Sequence, residues 1–240
     1  MPVLLLAYGD PKAKDLLRRA IEARYGVRPP ALEALKLDFK GRARAKIGPV
    51  TAWVPVEATA FFQFPTAMRW DFVVKPLGLP VQRGVESFHD NIYRVQRGKA
   101  PMVMTDEAQI AYLRRRLWAV AAMLLTPLGE DFVKISLDES APRAFQVTNT
   151  RINDTVSVYL RPDYTVESVQ VECLNPETER QQRFIMRLSE AQIELNEFIM
   201  PKKIDVFWDN EPSFEIEPTR VESNPALAAS IFTMDSAAQH

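Results

Sequence analysis

Two histidines and one cysteine limit the nucleophilic and metal chemistry open to this chain. That is too few for a four-ligand His/Cys zinc site. A Cys–His pair would have to join Cys173 to His89 or to His240, the last residue. Cys173 stands in Val169-Gln-Val-Glu-Cys-Leu174, in register with Val169 and Val171, and so reads as a small buried strand side chain. His89, in Ser87-Phe-His-Asp-Asn91, has the Asp90 carboxylate beside it, a pairing that suits a general base or pH sensor. Asp-Asn is equally the signature of a tight hairpin turn. The acids Asp205, Asp209, Glu211, Glu215 and Glu217 offer oxygen ligands for a hard cation. However, Asp205 alternates with Ile204 and Val206, and Glu215 and Glu217 flank Ile216, which describes a solvated strand face. Glycines fall at 9, 26, 41, 48, 78, 84, 98 and 129, so neither G-x-G-x-x-G nor a Walker loop can be drawn, and no G-x-S-x-G is present. No catalytic residue, metal or cofactor is assigned.

What remains is apolar surface. Val54, Val56, Phe61, Phe62, Phe64, Met68, Trp70 and Phe72 crowd one stretch. Further on, Ile110, Leu113, Leu117, Ala121 and Leu124 form a stripe at helical spacing. Beyond Leu117 that helix is apolar almost all round, through Trp118, Val120, Met123 and Leu125, and must be buried on most sides. Arg114, Arg115 and Arg116 are expected where it emerges into water. Either the helix plugs a core, or it is a lid over a cavity that takes an acyl chain or similar ligand.

Asp10 as cap, Pro11 at the first position and Gly26 at the end predict a helix over 10–26. From Leu35 to Ile47 apolar and charged residues alternate, predicting one long strand with a cationic outer row of Lys36, Lys40, Arg42, Arg44 and Lys46. Strands are expected at 51–64, 67–75, 81–88 and 91–97, a helix at 105–125, and eight more strands from 131 to 219. With hairpin-length connections the expected class is α+β, mainly β. A single curved antiparallel sheet, an incomplete barrel, wraps an inserted helix, and residues 1–240 form one domain. A formal charge of −1 and a pI near 6.2 argue against nucleic acid as the main partner. The longest apolar run, Leu117–Leu125, is about half of what a membrane span needs, so no transmembrane segment is expected. Met1–Ala7 lacks the basic start and length of a signal peptide.

Three stretches give this order of segments a resemblance to the LolA-like superfamily of lipoprotein and lipid carriers. Phe62-Gln-Phe-Pro-Thr-Ala-Met-Arg-Trp70 is similar to that family's strand with a Pro before an aromatic "R-W" core. Ser87-Phe-His-Asp-Asn-Ile-Tyr93 resembles its Asp-Gly hairpin, with Asn91 in place of the Gly. Asn224-Pro-Ala-Leu-Ala-Ala-Ser-Ile-Phe-Thr233 resembles its closing stretch, followed by Met234 instead of Pro. The resemblance implies a half-barrel of about eleven strands whose concave face holds acyl chains, without catalysis. Its candidate ligand residues are Phe62, Phe64, Trp70, Phe72, Leu117, Trp118, Leu124 and Leu125, with Arg69 meeting a head group or holding the helix closed; an outward-facing Arg69 is the alternative and the favoured reading. It also implies a membrane-associated or envelope protein partner. The location would be periplasmic or envelope if a leader was removed, and cytoplasmic if Met1 is the native start. An enzyme on the same scaffold acting on a hydrophobic intermediate, or a partner-binding protein using a sheet edge or the cationic strand, are the alternatives.

Overall fold

The computed structural model describes residues 6–47, 49–76, 79–80, 82–96, 102–104, 106–175, 178–196 and 198–234; His240 and Thr105 lie outside them. After a short strand β1 (Tyr8–Gly9), helix α1 (Pro11–Tyr25) starts where Asp10 Oδ1 accepts from the Lys12 and Ala13 amides at 2.8 and 3.0 Å. It ends at Gly26 with φ 69°, a left-handed value that favours glycine. Four strands follow as hairpins: β2 (Ala34–Ile47), β3 (Val50–Gln63), β4 (Ala67–Val74) and β5 (Gln82–His89). Asp90 and Asn91, with φ of 52° and 57°, then turn the chain into β6 (Ile92–Gln96), so Asn91 does adopt the left-handed conformation. A three-residue strand, β7 (Met102–Met104), precedes helix α2 (Glu107–Leu124), whose cap Asp106 accepts from the Gln109 amide.

The second half runs β8 (Val133–Leu137), β9 (Ala144–Asn149), β10 (Asp154–Leu160), β11 (Val166–Asn175) and β12 (Arg180–Leu188). A small hairpin of β13 (Gln192–Leu195) and β14 (Phe198–Pro201) interrupts before β15 (Ile204–Trp208) and β16 (Glu211–Ser223), and a helical turn α3 (Ser230–Thr233) closes the described chain. The large sheet has the order β1-β8-β9-β10-β11-β12-β15-β16-β2-β3-β4-β5-β6-β7. It thus holds fourteen strands among the described residues instead of about eleven, and β13 and β14 pair only with each other. All neighbours in it are antiparallel except β1 and β8. The sheet is curved and open, and its two edges are the two- and three-residue strands β1 and β7, too short to invite edge pairing.

The two halves of the chain meet at the β16–β2 ladder, from Phe214–Ala43 to Ser223–Leu35. Asn224 finishes it: its side chain accepts from the Glu33 and Ala34 amides and donates to the Ala31 carbonyl. On the outer face the cationic row of β2 meets the acidic row of β16, with Arg42–Glu215 at 2.6 Å, Arg44–Glu211 at 2.7 Å and Lys40–Glu217 at 3.5 Å. These acids are cross-strand partners of the β2 cations. Among the described residues there is no group of three or more His, Cys, Asp or Glu that could hold a metal. No described helix is long and apolar enough to cross a membrane.

Helix α2 lies in the concavity against β10 and β11. Leu113, Leu117, Ala121 and Leu124 are buried in the core beneath it, and the Trp118 indole donates to the Val147 carbonyl at 3.1 Å. The three arginines do not mark an exit into water. Arg114 and Arg115 reach the buried Asp154 at the start of β10, at 2.6 and 3.1 Å, while Arg116 turns the other way. At the far end of α2, Arg24 and Tyr25 of α1 donate to the Met123 and Leu124 carbonyls, which the helix itself leaves unpaired.

Candidate functional site

Helix α2 packs mainly on one wing of the sheet, against β10 and β11. Between its other face and β12, β15, β16 and β2–β6 lies a cavity of about 850 Å³. That is within the range of small-molecule sites, about 300–1,000 Å³.

The cavity exists because side chains shrink where two long strands pair. On β2 the inward residues run Leu37, Phe39, Gly41, Ala43, and on β3 they run Val56, Ala58, Ala60, Phe62. The alanines leave space that larger residues would fill. From Leu37 to Ala43 the floor runs roughly 20 Å, at about 3.3 Å per residue. A Cβ on Gly41 would lie 1.9 Å from the Glu215 carbonyl oxygen, so only glycine lets β16 close on β2 at this point. The walls are Trp70 and Phe72 of β4, Phe184 and Met186 of β12, Val206 and Trp208 of β15, and Phe214 of β16. Met102 of β7, 58% exposed, stands where the cavity meets solvent.

The roof is one stripe of α2: Gln109, Tyr112, Arg116, Val120 and Met123. These positions follow helical spacing and lie beside the Leu113–Leu117–Leu124 stripe. Tyr112 and Arg116 are its polar part. Arg116 Nη1 donates to the Tyr112 hydroxyl at 2.7 Å, and its guanidinium carbon lies 4.8 Å from the Trp70 ring, 5.1 Å from Tyr112 and 5.7 Å from Phe184. Burial pushes the Tyr112 pKa up to about 12, so the phenol stays neutral. Burial opposes the charge of Arg116, but Tyr112, Glu86 and Tyr93 outweigh it, and its pKa is raised. The Trp70 indole nitrogen and the Gln109 side-chain oxygen are buried without a hydrogen-bond partner among the described residues.

Of the sequence-stretch candidates, Phe62, Trp70 and Phe72 line this cavity. Leu117, Trp118, Leu124 and Leu125 do not; all are at most 1% exposed, in the core on the sheet side of α2. Phe64 stacks on Phe62 with ring centroids 5.8 Å apart, outside the lining. Arg69 alternates with Met68 and Trp70 and therefore points to the back of the sheet. There it pairs with Asp71 at 2.6 Å and donates to the Ile231 carbonyl at 2.7 Å, holding α3 instead of the central helix or a head group. Ser87 donates to the Phe232 carbonyl, and Phe232, fully buried, stacks on His89 with centroids 6.0 Å apart. His89 thus serves the seat of α3, with Asp90 3.2 Å from its Nδ1. Cys173 is buried, and burial pushes its thiol up to about 12. Among the lining residues not singled out as site candidates from the sequence are Ala58, Ala60, Tyr112 and Arg116. The alanines alternate in phase with Val56 and Phe62, and Tyr112 and Arg116 sit four apart in the helical pattern.

Two substitutions probe this arrangement. A Cβ on Gly84 would lie 2.3 Å from the Phe72 ring, so Gly84→Val will drive that ring into the cavity. If a long-chain ligand occupies the cavity, losing room for two methylenes should lower its affinity about tenfold, measured by titration. Phe232→Ala will release α3 from β4 and β5. Limited proteolysis should then cut near residues 225–234, which the intact chain resists.

No protein-family model matches the sequence, and a search of curated proteins found no match. Solved structures do match over nearly the whole chain. A LolA superfamily protein from Nitrosomonas europaea is similar at 13% identity with a TM-score of 0.52, covering 92% of this chain and 96% of that one. A DUF1329 family protein from Desulfovibrio piger is similar at 11% identity with a TM-score of 0.50, covering 92% and 95%. At such identities the likeness is one of fold.

Proposed function

On this LolA-like fold, we propose that the protein binds a hydrophobic ligand, a lipid or a protein-borne acyl chain, between α2 and the concave sheet and carries it without chemistry. The observation that carries this reading is the cavity of about 850 Å³ with an alanine-lined floor and aromatic walls. Each methylene moved into it from water contributes about 0.8 kcal/mol. Ten of them supply about 8 kcal/mol before the costs of association, enough for a reversible complex. Reversibility is what a carrier needs. The β16–β2 ladder, which joins the early and late strands in one sheet, supports reading residues 1–240 as one domain. A cell-envelope setting, with a membrane-associated protein delivering or receiving the ligand, completes the proposal.

Native mass spectrometry of the purified chain, together with titration of a fluorescent fatty-acyl probe, tests it. A one-to-one complex and saturable binding, displaced by unlabelled acyl compounds, are expected. A chain that carries no lipid and shows no saturable binding would refute the proposal.

A further inference from the structure

Arg116 is a charged group placed against an apolar cavity. Among the described residues no carboxylate lies within ion-pair distance of its guanidinium, and its one hydrogen-bond acceptor there is the Tyr112 hydroxyl. Glu86, which lines the same cavity and has an interaction of its own, makes no ion pair with Arg116 but acts on it electrostatically. A guanidinium offers five N–H donors in a rigid fork. Beside apolar walls the charge of Arg116 is supported at longer range by Glu86 and Tyr93, while among the described residues the rest of the fork meets no acceptor. The rings of Trp70, Tyr112 and Phe184 hold its carbon at 4.8, 5.1 and 5.7 Å and fix its position. A second donor is close by, because the Trp70 indole N–H is buried without an acceptor among the described residues. The cavity therefore has an apolar floor and a donor-rich cationic spot on its roof.

We propose that the ligand is an amphiphile with an anionic oxygen head group, a carboxylate or a phosphate monoester, which Arg116 and the Trp70 N–H bind inside the cavity. Its tail runs along Ala58 and Ala60. This rests on the cavity being a ligand site and names the class of ligand. A carboxylate would accept two parallel bonds from the guanidinium fork, the strongest form of such contact. A neutral acyl glyceride or ester makes no such pair.

The test is titration of the full chain with dodecanoate, dodecyl phosphate, dodecanol and dodecylamine, which share a tail and differ in the head. Dodecanoate or dodecyl phosphate, or both, should bind about tenfold or more tighter than dodecanol, with the amine weakest. Whichever anion binds tighter identifies the head-group source. In Arg116→Met the ratio of anion to alcohol affinity should fall to about one, and in Arg116→Lys it should lie between; circular dichroism checks that both fold. Equal binding of anions and alcohol by the unaltered protein, tighter binding of the amine, or a preference that survives Arg116→Met would each overturn the inference. Tail binding without head preference would leave the hydrophobic-ligand reading standing. Failure of all four compounds to bind would overturn both.

Discussion

The double variant Ala58→Phe/Ala60→Phe is expected to fold and to lose binding of the acyl ligand proposed for the cavity. Both alanines line the cavity floor, 8% and 1% exposed, where their small side chains border the open volume while also packing into the core. Rings that turn into that space keep the cost below that of overpacking a filled core, about 1–3 kcal/mol. If they exclude five methylenes of a bound tail, they remove about 4 kcal/mol of binding, or about a thousandfold in affinity. The unfolding midpoint in urea should hold or rise as the probe titration goes flat. An unchanged affinity in a folded double variant would mean that the tail lies elsewhere.

The largest effect on stability is expected at Asp154, at the opposite face of α2. Its carboxylate is 2% exposed and accepts from Arg114 and Arg115, which in turn fasten the helix to β10 and, through the Glu172 carbonyl, to β11. Asp154→Ala leaves two guanidiniums facing a buried site without an anion. Losing one partner of a buried ion pair costs about 3–5 kcal/mol, and the lower end applies because the arginine side chains are 19% and 33% exposed. Asp154→Asn keeps an acceptor oxygen and should lose less. Urea unfolding measures both, and a loss under about 1 kcal/mol in Asp154→Ala would show that the pair does not anchor α2.

Much of this architecture was legible in the sequence, and the reasons are local. The expected 10–26 helix became Pro11–Tyr25 because Asp10, Pro11 and Gly26 state its ends. The long alternating segment became β2, Ala34–Ile47, and the expected 105–125 helix became Glu107–Leu124. Short edge strands escaped notice: β7 has three residues and β1 only two, too few for a period to register.

The site was harder to read, because hydrophobicity marks burial and a cavity is made of what is missing. Large apolar residues such as Trp118 and Leu124 stood out and proved to be core, while Ala58 and Ala60, which create the space, did not. The arginine run shows the same limit. Three consecutive helical positions point about 100° apart, so one run serves two faces. Which face meets the sheet is settled by the partner Asp154, far away in sequence. Arg69 was legible as an outward-facing side chain, but the segment it holds there is the C-terminal turn, brought to the back of β4 by contacts no local pattern encodes.

The most direct test of the account is photo-crosslinking with a fatty acid carrying a diazirine near the end of its tail, followed by mapping of the labelled residues. Labelling is expected on Ala58, Ala60, Val120, Phe184 and their neighbours, competed by unlabelled fatty acid and absent in the phenylalanine-filled double variant. Labelling confined to the back of the sheet or to the exposed β7 edge, undiminished in that variant, would contradict the claim that the cavity holds the ligand.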